Sequence, residues 1–382
     1  FSSRRRHTRY GTVTGVQTCA LPIWCLLVQY WHWRGLFVIV GAAAAVLAVL
    51  TTLYVPNQKI PKGGKFDWFS FLAVGMGCVC MLMVLIYGET DGWTAPGVLA
   101  WMYGGFCSFA LAFISCMTHR TPLLDVRVLG NWRFLCGLLA SLCNIFCICW
   151  VRVGTVQFMR NVMNYEPVGI AYVFMVLVAG FCGGAALVLP LMQKGRLALR
   201  VGMMAGLLAL GASAFFLSRL DAGCSWLDVA WPLGLFGIGY AFCLNTATPL
   251  ALRGVEGRSA AASSRTLNTV RYIFISLYVS SVSTVLAHMK TGFRFSMAEQ
   301  VRDDSPGTAH TLDMWQRHFA ETGGTAREIH ASVDAVLQKA VALQSQVFSV
   351  DTFYLCTVIV GAAGVLFALF CLKSGQERKA AS

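Results

Sequence analysis

The sequence predicts an all-α protein that crosses a membrane nine times, and three observations lead to this fold class. Of the 382 residues, 57% are hydrophobic and only 12% are charged, whereas a water-soluble chain carries about 25% charged residues. From Trp24 onward the apolar residues fall into nine runs, each near the roughly 20 residues that a helix needs to cross the hydrocarbon core. Helices also satisfy their own backbone hydrogen bonds in lipid. This composition excludes a disordered chain and argues against a water-soluble enzyme.

The predicted spans are separated by short hydrophilic gaps, except before the last one. Some are rich in glycine, as at Gly180, Gly183 and Gly184, and glycine lets neighbouring helices approach closely. In chain order the predicted spans are 36–54, 68–87, 97–117, 134–156, 168–189, 201–217, 229–248, 267–287 and 353–372.

Residues 1–23 do not fit this pattern. They contain Arg4, Arg5, Arg6 and Arg9 but no apolar run, so they lack the core of a secretory signal. The strings SSRRRHTRY and VTGVQTCALPI resemble conceptual translations of sequencing-library adapter. We expect this segment to be non-native, with a real basic extension as the alternative.

The net charge of +13 indicates membrane orientation and no nucleic-acid partner, because the basic residues form no continuous face. Five alternate hydrophilic segments carry three basic residues each, and loops rich in Lys and Arg stay on the cytoplasmic side of a membrane. The C-terminus is therefore predicted to be cytoplasmic, with Arg34, Arg160 and Arg219 outside. The inside set is Lys59, Lys62, Lys65, Arg120, Arg127, Arg133, Lys194, Arg196, Arg200, Arg253, Arg258, Arg265, Lys373, Arg378 and Lys379.

The hydrophilic stretch 290–349 is predicted to lie on the outer, extracytoplasmic side of the membrane. Its second half has a helical pattern, because Thr325 and Glu328 fit a capping box and apolar residues from Ile329 to Leu343 recur at helical spacing. Two alternatives stay open: a surface helix packed on the bundle or lying at the interface, and a docking element for a partner protein.

Short motifs in order along the chain carry a family resemblance. They are HWRGLF from His32, FDW from Phe66 with a later DGW from Asp91, PLLDVR from Pro122 followed by Asn131 and Phe134, and Asn268-x-x-Arg271 followed by Ser276. These motifs, across most of 30–372, resemble the fourteen-helix drug:proton antiporters of the major facilitator superfamily (EmrB/QacA-like). Two features depart from the family: Phe274, Ile275 and Tyr278 replace common glycines, and Leu199 stands where an Asp is expected.

The resemblance implies a partial major facilitator fold containing helices six to fourteen. Residues 24–54 would be the last helix of the first bundle, 55–117 two joining helices, and 118–382 the second six-helix bundle with the outside loop 290–349. Helices one to five and the principal proton-coupling acid would be missing. We therefore expect the chain as it stands not to transport.

The same resemblance implies function, location and partners. It implies proton-coupled efflux of drugs or other amphipathic small molecules by alternating access, in a bacterial inner membrane and without a cofactor. A periplasmic adaptor and an outer-membrane channel would be partners in a Gram-negative cell. The basic loop with Lys194, Gly195, Arg196 and Arg200 resembles the family's conformational-switch loop.

Ionisable residues at membrane depth are costly and usually functional. None of the 17 Asp and Glu residues falls in the middle of a predicted span, whereas Arg152 and Arg271 fall inside. Arg152 either extends its charge to the membrane surface or lines the pathway. Arg271 either bonds to helix ends or a loop, or takes part in transport.

Uncharged polar and aromatic residues complete the substrate-pathway candidates. Asn144, Gln157 and Asn245 either meet substrate or make interhelical hydrogen bonds, and Asn268 and Tyr240 belong to the same set. Six aromatic residues have two interpretations: they form an aromatic surface for apolar cations, or they face lipid. They are Trp150, Phe158, Tyr240, Phe242, Tyr272 and Tyr278.

Catalytic patterns are weak by comparison. Cys147 and Cys149 lie about 200° apart on a helix and do not share a metal site. No Walker loop or dinucleotide motif occurs in the sequence. A polytopic membrane enzyme, such as a lipid-modifying transferase, is the alternative function and would need His, Asp or Glu clustered at one membrane face. A non-transporting membrane scaffold or sensor is the third.

Overall fold

The computed structural model describes residues 33–54, 67–119, 124–193, 196–252, 258–300, 313–318 and 326–373. Residues 1–23 and Thr325 lie outside the described part of the chain. In chain order the helices are α1 Trp33–Tyr54, α2 Trp68–Asp91, α3 Pro96–Thr118, α4 Val126–Leu129, α5 Trp132–Asn161, α6 Pro167–Gln193, α7 Arg196–Leu217, α8 Trp226–Ala251, α9 Arg258–Gln300 and α10 Ala326–Lys373.

Within the described ranges, nine helices are long and apolar enough to cross a membrane. Every predicted span lies inside one of these nine helices. The remaining helix, α4, is a single turn before α5 and corresponds to no predicted span. Polar residues at the edges of the spans start helices. The Asp67 carboxylate accepts the backbone N–H of Ser70 at 3.0 Å and caps α2, and the Asn131 side chain caps α5. The predicted all-α, nine-span fold class is confirmed.

The main core lies between α5, α6, α7, α8, α9 and α10. Its largest fully buried side chains include Phe158 on α5, Phe174 on α6, Phe236 on α8 and Tyr354 on α10. A smaller apolar cluster joins α4, α5, α8 and α9 around Phe134. The six long helices of the predicted second bundle therefore all contribute to the main core.

Glycine brings α6 and α8 into backbone contact. A Cβ atom added to Gly237 would lie 2.2 Å from the Leu177 carbonyl oxygen, and one on Gly180 would lie 2.2 Å from the Gly234 carbonyl oxygen. Gly183 on α6 has open space instead. The close approach of the two backbones therefore explains why positions 180 and 237 are glycine, and it holds this helix pair tightly together.

Helices α2 and α3 lie at the side of this bundle. Helices α2 and α3 pack against each other, with Cys80 against the backbone of Gly105. The Thr284 hydroxyl of α9 donates to the Leu85 carbonyl of α2 at 3.1 Å. The apolar side chains of α1 are exposed, which suits a surface that faces lipid or other helices.

Helices α9 and α10 are longer than the sequence predicts. They contain 43 and 48 residues, or about 65 and 72 Å, against about 30 Å of hydrocarbon. Their extensions contact each other, because Lys290 Nζ donates to Gln346 Oε1 at 3.3 Å and the rings of Phe293 and Phe348 are 6.2 Å apart. The helix predicted in the second half of 290–349 is present from Ala326, and it continues into the last span without a break.

Candidate functional site

Arg271 joins three helices at a polar junction inside the bundle. From α9, its Nε donates to Ser141 Oγ on α5 at 2.6 Å. Its Nη1 donates to Thr248 Oγ1 on α8 at 2.7 Å. Both acceptors are side-chain hydroxyls within helices, and Thr248 lies in the last turn of α8. We call the set Arg271, Ser141, Thr248, Asn144 and Asn245 the polar junction.

The two asparagines belong to the junction by their position along the helices. Asn144 follows Ser141 by three residues on α5, and Asn245 precedes Thr248 by three residues on α8, so each shares a helix face with one hydroxyl. Both lie one turn nearer the middle of their helices than the Arg271 contacts. The junction therefore continues from the guanidinium toward the centre of the bundle.

The asparagine side chains differ in their hydrogen bonding. Asn144 is 3% exposed, and its Oδ1 has no hydrogen-bond partner within the described residues. Asn245 is half-buried and its Nδ2 donates to the Ala241 carbonyl of its own helix at 2.7 Å. A buried amide oxygen without a partner is costly, so the site retains capacity for a polar ligand atom.

The guanidinium keeps donor capacity as well. It has five N–H groups, and two of them make the contacts to Ser141 and Thr248. In the described part of the chain, no Asp or Glu pairs with Arg271. Neutral hydroxyls thus solvate a cation whose charge the described residues leave uncompensated.

The structure places the other candidate residues at different distances from Arg271. Asn268 is half-buried on α9, one turn away. Gln157 lies sixteen residues beyond Ser141 on α5, or about 24 Å along the helix. Tyr240 is buried against Phe181, with ring centroids 5.2 Å apart. The structure brings Asn268 near the junction but not Gln157 or Tyr240.

Arg152 lies toward the other end of α5. It is half-buried, and its Nε has no hydrogen-bond partner among the described residues. One oxygen of Asp351 on α10 is likewise buried without a partner there. The two residues form no ion pair in the described structure, so Arg152 stays a separate candidate from the junction.

An aromatic row connects α9, α5 and α10. The Trp150 ring stacks on Phe353 at 4.0 Å with an interplanar angle of 4°, and Phe146 lies 4.1 Å from its centroid. Tyr278 meets Phe146 edge to face at 5.2 Å. Among the predicted aromatic candidates, Phe158 is buried in the core, while Tyr272 is 55% exposed. Phe146 thus lies between Trp150 and Tyr278 and contacts both rings. The main role of this row is to pack α5 against α9 and α10.

A second buried hydrogen bond lies beside this row. Thr155 on α5 and Tyr354 on α10 are joined through their hydroxyl oxygens at 2.8 Å, and both residues are buried. This bond satisfies two polar groups in the core and aligns α5 with α10.

The proposed switch loop is only partly described. Lys194, Gly195 and the side chain of Arg196 lie outside the described residues, although Arg196 begins α7. Arg200 is half-buried. Leu199, which departs from the family pattern, is buried, which explains an apolar residue at this position.

Sequence reasoning missed Ser141, Thr248, Phe146 and Phe353. The hydroxyl residues had a detectable signal, because a polar residue recurs at a spacing of three in both LASLCN and NTAT. That spacing places both polar groups on one helix face. Phe146 and Phe353 had no such signal, since aromatic residues are frequent throughout the spans.

Comparison with known proteins identifies relatives, although no family model matches the sequence. Multidrug resistance protein Stp of Mycobacterium tuberculosis is 26% identical over 280 residues, which cover 72% of this chain and 50% of that protein. The probable actinorhodin transporter of Streptomyces coelicolor is 23% identical, covering 73% and 48%. Putative multidrug resistance protein MdtD of Serratia proteamaculans is 24% identical, covering 66% and 53%. The chain spans about half the length of the curated relatives it matches.

A solved bacterial homologue of the human lysosomal transporter Spinster, inward-facing and unoccupied, has a TM-score of 0.45 and 14% identity, covering 79% of this chain and 69% of that one. The sequence relatives are named as multidrug resistance proteins and a transporter, and the described part of this chain has nine helices that could span a membrane. The chain is similar to proteins named as multidrug resistance proteins and as a transporter of the major facilitator superfamily type. The resemblance inferred from the sequence motifs is confirmed.

Proposed function

We propose that the chain is part of a secondary transporter that exports drugs or other amphipathic small molecules in exchange for protons. The observation that carries this proposal is the polar junction, in which a guanidinium and two asparagines lie within an apolar bundle. Ionisable and polar groups at membrane depth are usually functional. The names of the relatives support drug export as the type of transport.

The packing supports a mechanism of alternating access. Residues 118–382 act as one bundle, α2 and α3 (within 55–117) join it to the preceding part, and 24–54 belong to the other bundle. Backbone contact at Gly180 and Gly237 makes the bundle stiff enough to rock as a unit around a central site. The basic loop of Lys194, Gly195, Arg196 and Arg200 serves as a conformational switch between the states.

The substrate pathway in this proposal runs past the polar junction. Asn144, Asn245, Asn268 and Arg271 form its principal contacts. Arg152, Gln157 and Tyr240 lie farther along the same helices, and we assign them a weaker role. Asp67 caps α2 and Asp228 forms the capping box of α8, whereas Asp351 lies near the middle of α10 with one buried oxygen that has no partner among the described residues. As the family resemblance implies, we place the main proton-coupling carboxylate outside the described residues, and Asp351 is a secondary acidic candidate.

The orientation and partners are part of the same proposal. The alternating basic gaps support a bacterial inner membrane with the C-terminus in the cytoplasm. The extensions of α9 and α10 then face the outside and offer a surface for a periplasmic adaptor, which would lead to an outer-membrane channel.

Transport by everted membrane vesicles tests the function. The vesicles contain a transporter of the relatives' length that includes this chain, and they are given fluorescent amphipathic cations, neutral compounds and anions. We expect accumulation of at least one class when the vesicle interior is acidified, and its loss with a protonophore. Arg271→Gln should lower accumulation at least about tenfold, while the exposed Arg219→Gln leaves it unchanged. Absence of proton-dependent accumulation for every class would refute the function.

A further inference from the structure

The positive charge of the polar junction is unbalanced within the described structure. Arg271 contacts two neutral hydroxyls, and no described acidic residue pairs with it. A cation held away from water without a counter-charge is strongly disfavoured. An anion that binds beside it would remove this penalty.

The unused donors have the geometry that an anion needs. With Nε and one Nη1 hydrogen occupied, both Nη2 hydrogens and the second Nη1 hydrogen have no partner among the described residues. They lie in the guanidinium plane, and Nη2 can donate to the oxygens of a carboxylate. Asn144 lies one turn from Ser141 on the same face, and its unpartnered buried Oδ1 accepts a hydrogen bond from a donor that the ligand carries beside its anionic group.

An exposed stripe of α9 lies beside Arg271. Arg271 is half-buried, and it adjoins an exposed stripe on α9 that contains Tyr272, Ser276 and Val279. Tyr272 provides an exposed aromatic ring on this stripe. A ligand with an anionic group at Arg271 and an apolar ring along this stripe would use both features.

We infer that the polar junction binds the anionic group of an amphipathic aromatic ligand, with Arg271 pairing to a carboxylate or phenolate. This inference rests on the proposed transport function and specifies its substrate class. The same chemistry would accept the phosphate of an anionic lipid headgroup, so the test separates these two sources.

Binding of three probes of similar size tests the inference on the full chain in phosphatidylcholine nanodiscs. The radiolabelled probes are naphthalene-2-carboxylate, naphthalene-2-carboxamide and naphthalen-2-yl-trimethylammonium, and empty nanodiscs give the background. We expect the carboxylate to bind at least about tenfold more tightly than the amide, with the ammonium weakest.

Variants assign that preference to Arg271. Arg271→Gln should remove the difference between carboxylate and amide while changing amide affinity less than about threefold. If Arg271→Gln does not fold, Arg271→Lys replaces it in the test. Lysine keeps the charge but lacks the planar guanidinium, so this variant should prefer the carboxylate less strongly than the unchanged protein does. Arg219→Gln removes an exposed arginine and should leave the preference unchanged. Weaker carboxylate binding in phosphatidylglycerol nanodiscs would support the anion site with lipid as a competing source.

Other results would overturn the inference. Equal binding of carboxylate and amide, tightest binding of the ammonium, or a carboxylate preference that survives in Arg271→Gln would each exclude Arg271 as an anion site. Proton-dependent export of cations by the longer transporter would then still support the proposed function. If the binding experiment and the vesicle experiment both fail, the anion site and the proposed transport function are both refuted.

Discussion

Arg271 on the ninth helix and Ser141 on the fifth are joined by a hydrogen bond of 2.6 Å, 130 residues apart in the chain. The same guanidinium reaches Thr248 on the eighth helix, so one side chain connects three helices in the interior of the bundle. Because the donor is charged and its acceptors are buried or half-buried, these bonds are stronger than those between neutral groups. The contact orients α9 relative to α5 and α8.

Loss of either hydroxyl should destabilise the bundle. Ser141→Ala and Thr248→Val each leave a charged N–H without its acceptor, at a cost of about 1–3 kcal/mol in the free energy of unfolding. Denaturant unfolding in detergent micelles measures this change. Ser276→Ala is the matched control, because the Ser276 hydroxyl is exposed and bonds within its own helix. A loss no larger than that of the control would contradict the stabilising role.

The bond between Thr155 and Tyr354 gives a second stability prediction. Tyr354→Phe and Thr155→Val should each lower the free energy of unfolding by about 1 kcal/mol. Each variant removes the hydrogen bond between the two hydroxyls and leaves the remaining hydroxyl buried without that partner. The double variant should lose less than the sum of the two, since both changes break one interaction. Tyr272→Phe alters an exposed ring and should have little effect. Additive losses would show that the two hydroxyls act independently.

The glycine contacts predict a position-specific effect on α6. Gly180→Ala would place a methyl group 2.2 Å from the Gly234 carbonyl oxygen and should cost about 1–3 kcal/mol through overpacking. Gly183→Ala meets nothing within 4 Å and should be neutral or slightly stabilising, because alanine favours the helix. Thermal unfolding of the two variants compares them directly. Equal unfolding temperatures would refute the backbone contact.

The charge pattern predicts the topology. Green fluorescent protein fused after 118 or after 252 should fluoresce, and alkaline phosphatase at the same points should be inactive, since both points are predicted to face the cytoplasm. Fusions after 164 or after 300 should show the reverse behaviour. Matching signals for 118 and 164 would exclude the alternating arrangement.

The helix extensions predict a specific cross-link. With cysteines at positions 293 and 348, a short thiol-to-thiol reagent should join α9 to α10, because the native rings there are 6.2 Å apart. Mass spectrometry identifies the linked peptides among those of the native cysteines. The pair Phe295→Cys and Phe348→Cys is the control, since Phe295 is exposed on another side of α9. Equal yields for both pairs would argue against the packed extension.

Part of the site was predictable, and part depended on contacts between distant residues. Arg271, Asn144 and Asn245 were identifiable because polar groups are rare in apolar spans. Their association was not, since Ser141 and Thr248 are common helix residues whose role depends on the residue opposite them. The length of α10 was also hidden, because Ser345, Gln346, Ser349 and Asp351 lower hydropathy without breaking a helix.

The sequence by itself determined that this chain is a set of nine apolar helices with basic residues at alternate gaps, because hydrocarbon thickness fixes helix length and surface charge fixes orientation. It also carried the motifs of a transporter superfamily. Only the tertiary structure decided which polar groups meet, which glycines touch backbone and where α9 and α10 end. Those outcomes depend on the rotation and depth of each helix against its neighbours, and packing between distant segments sets both.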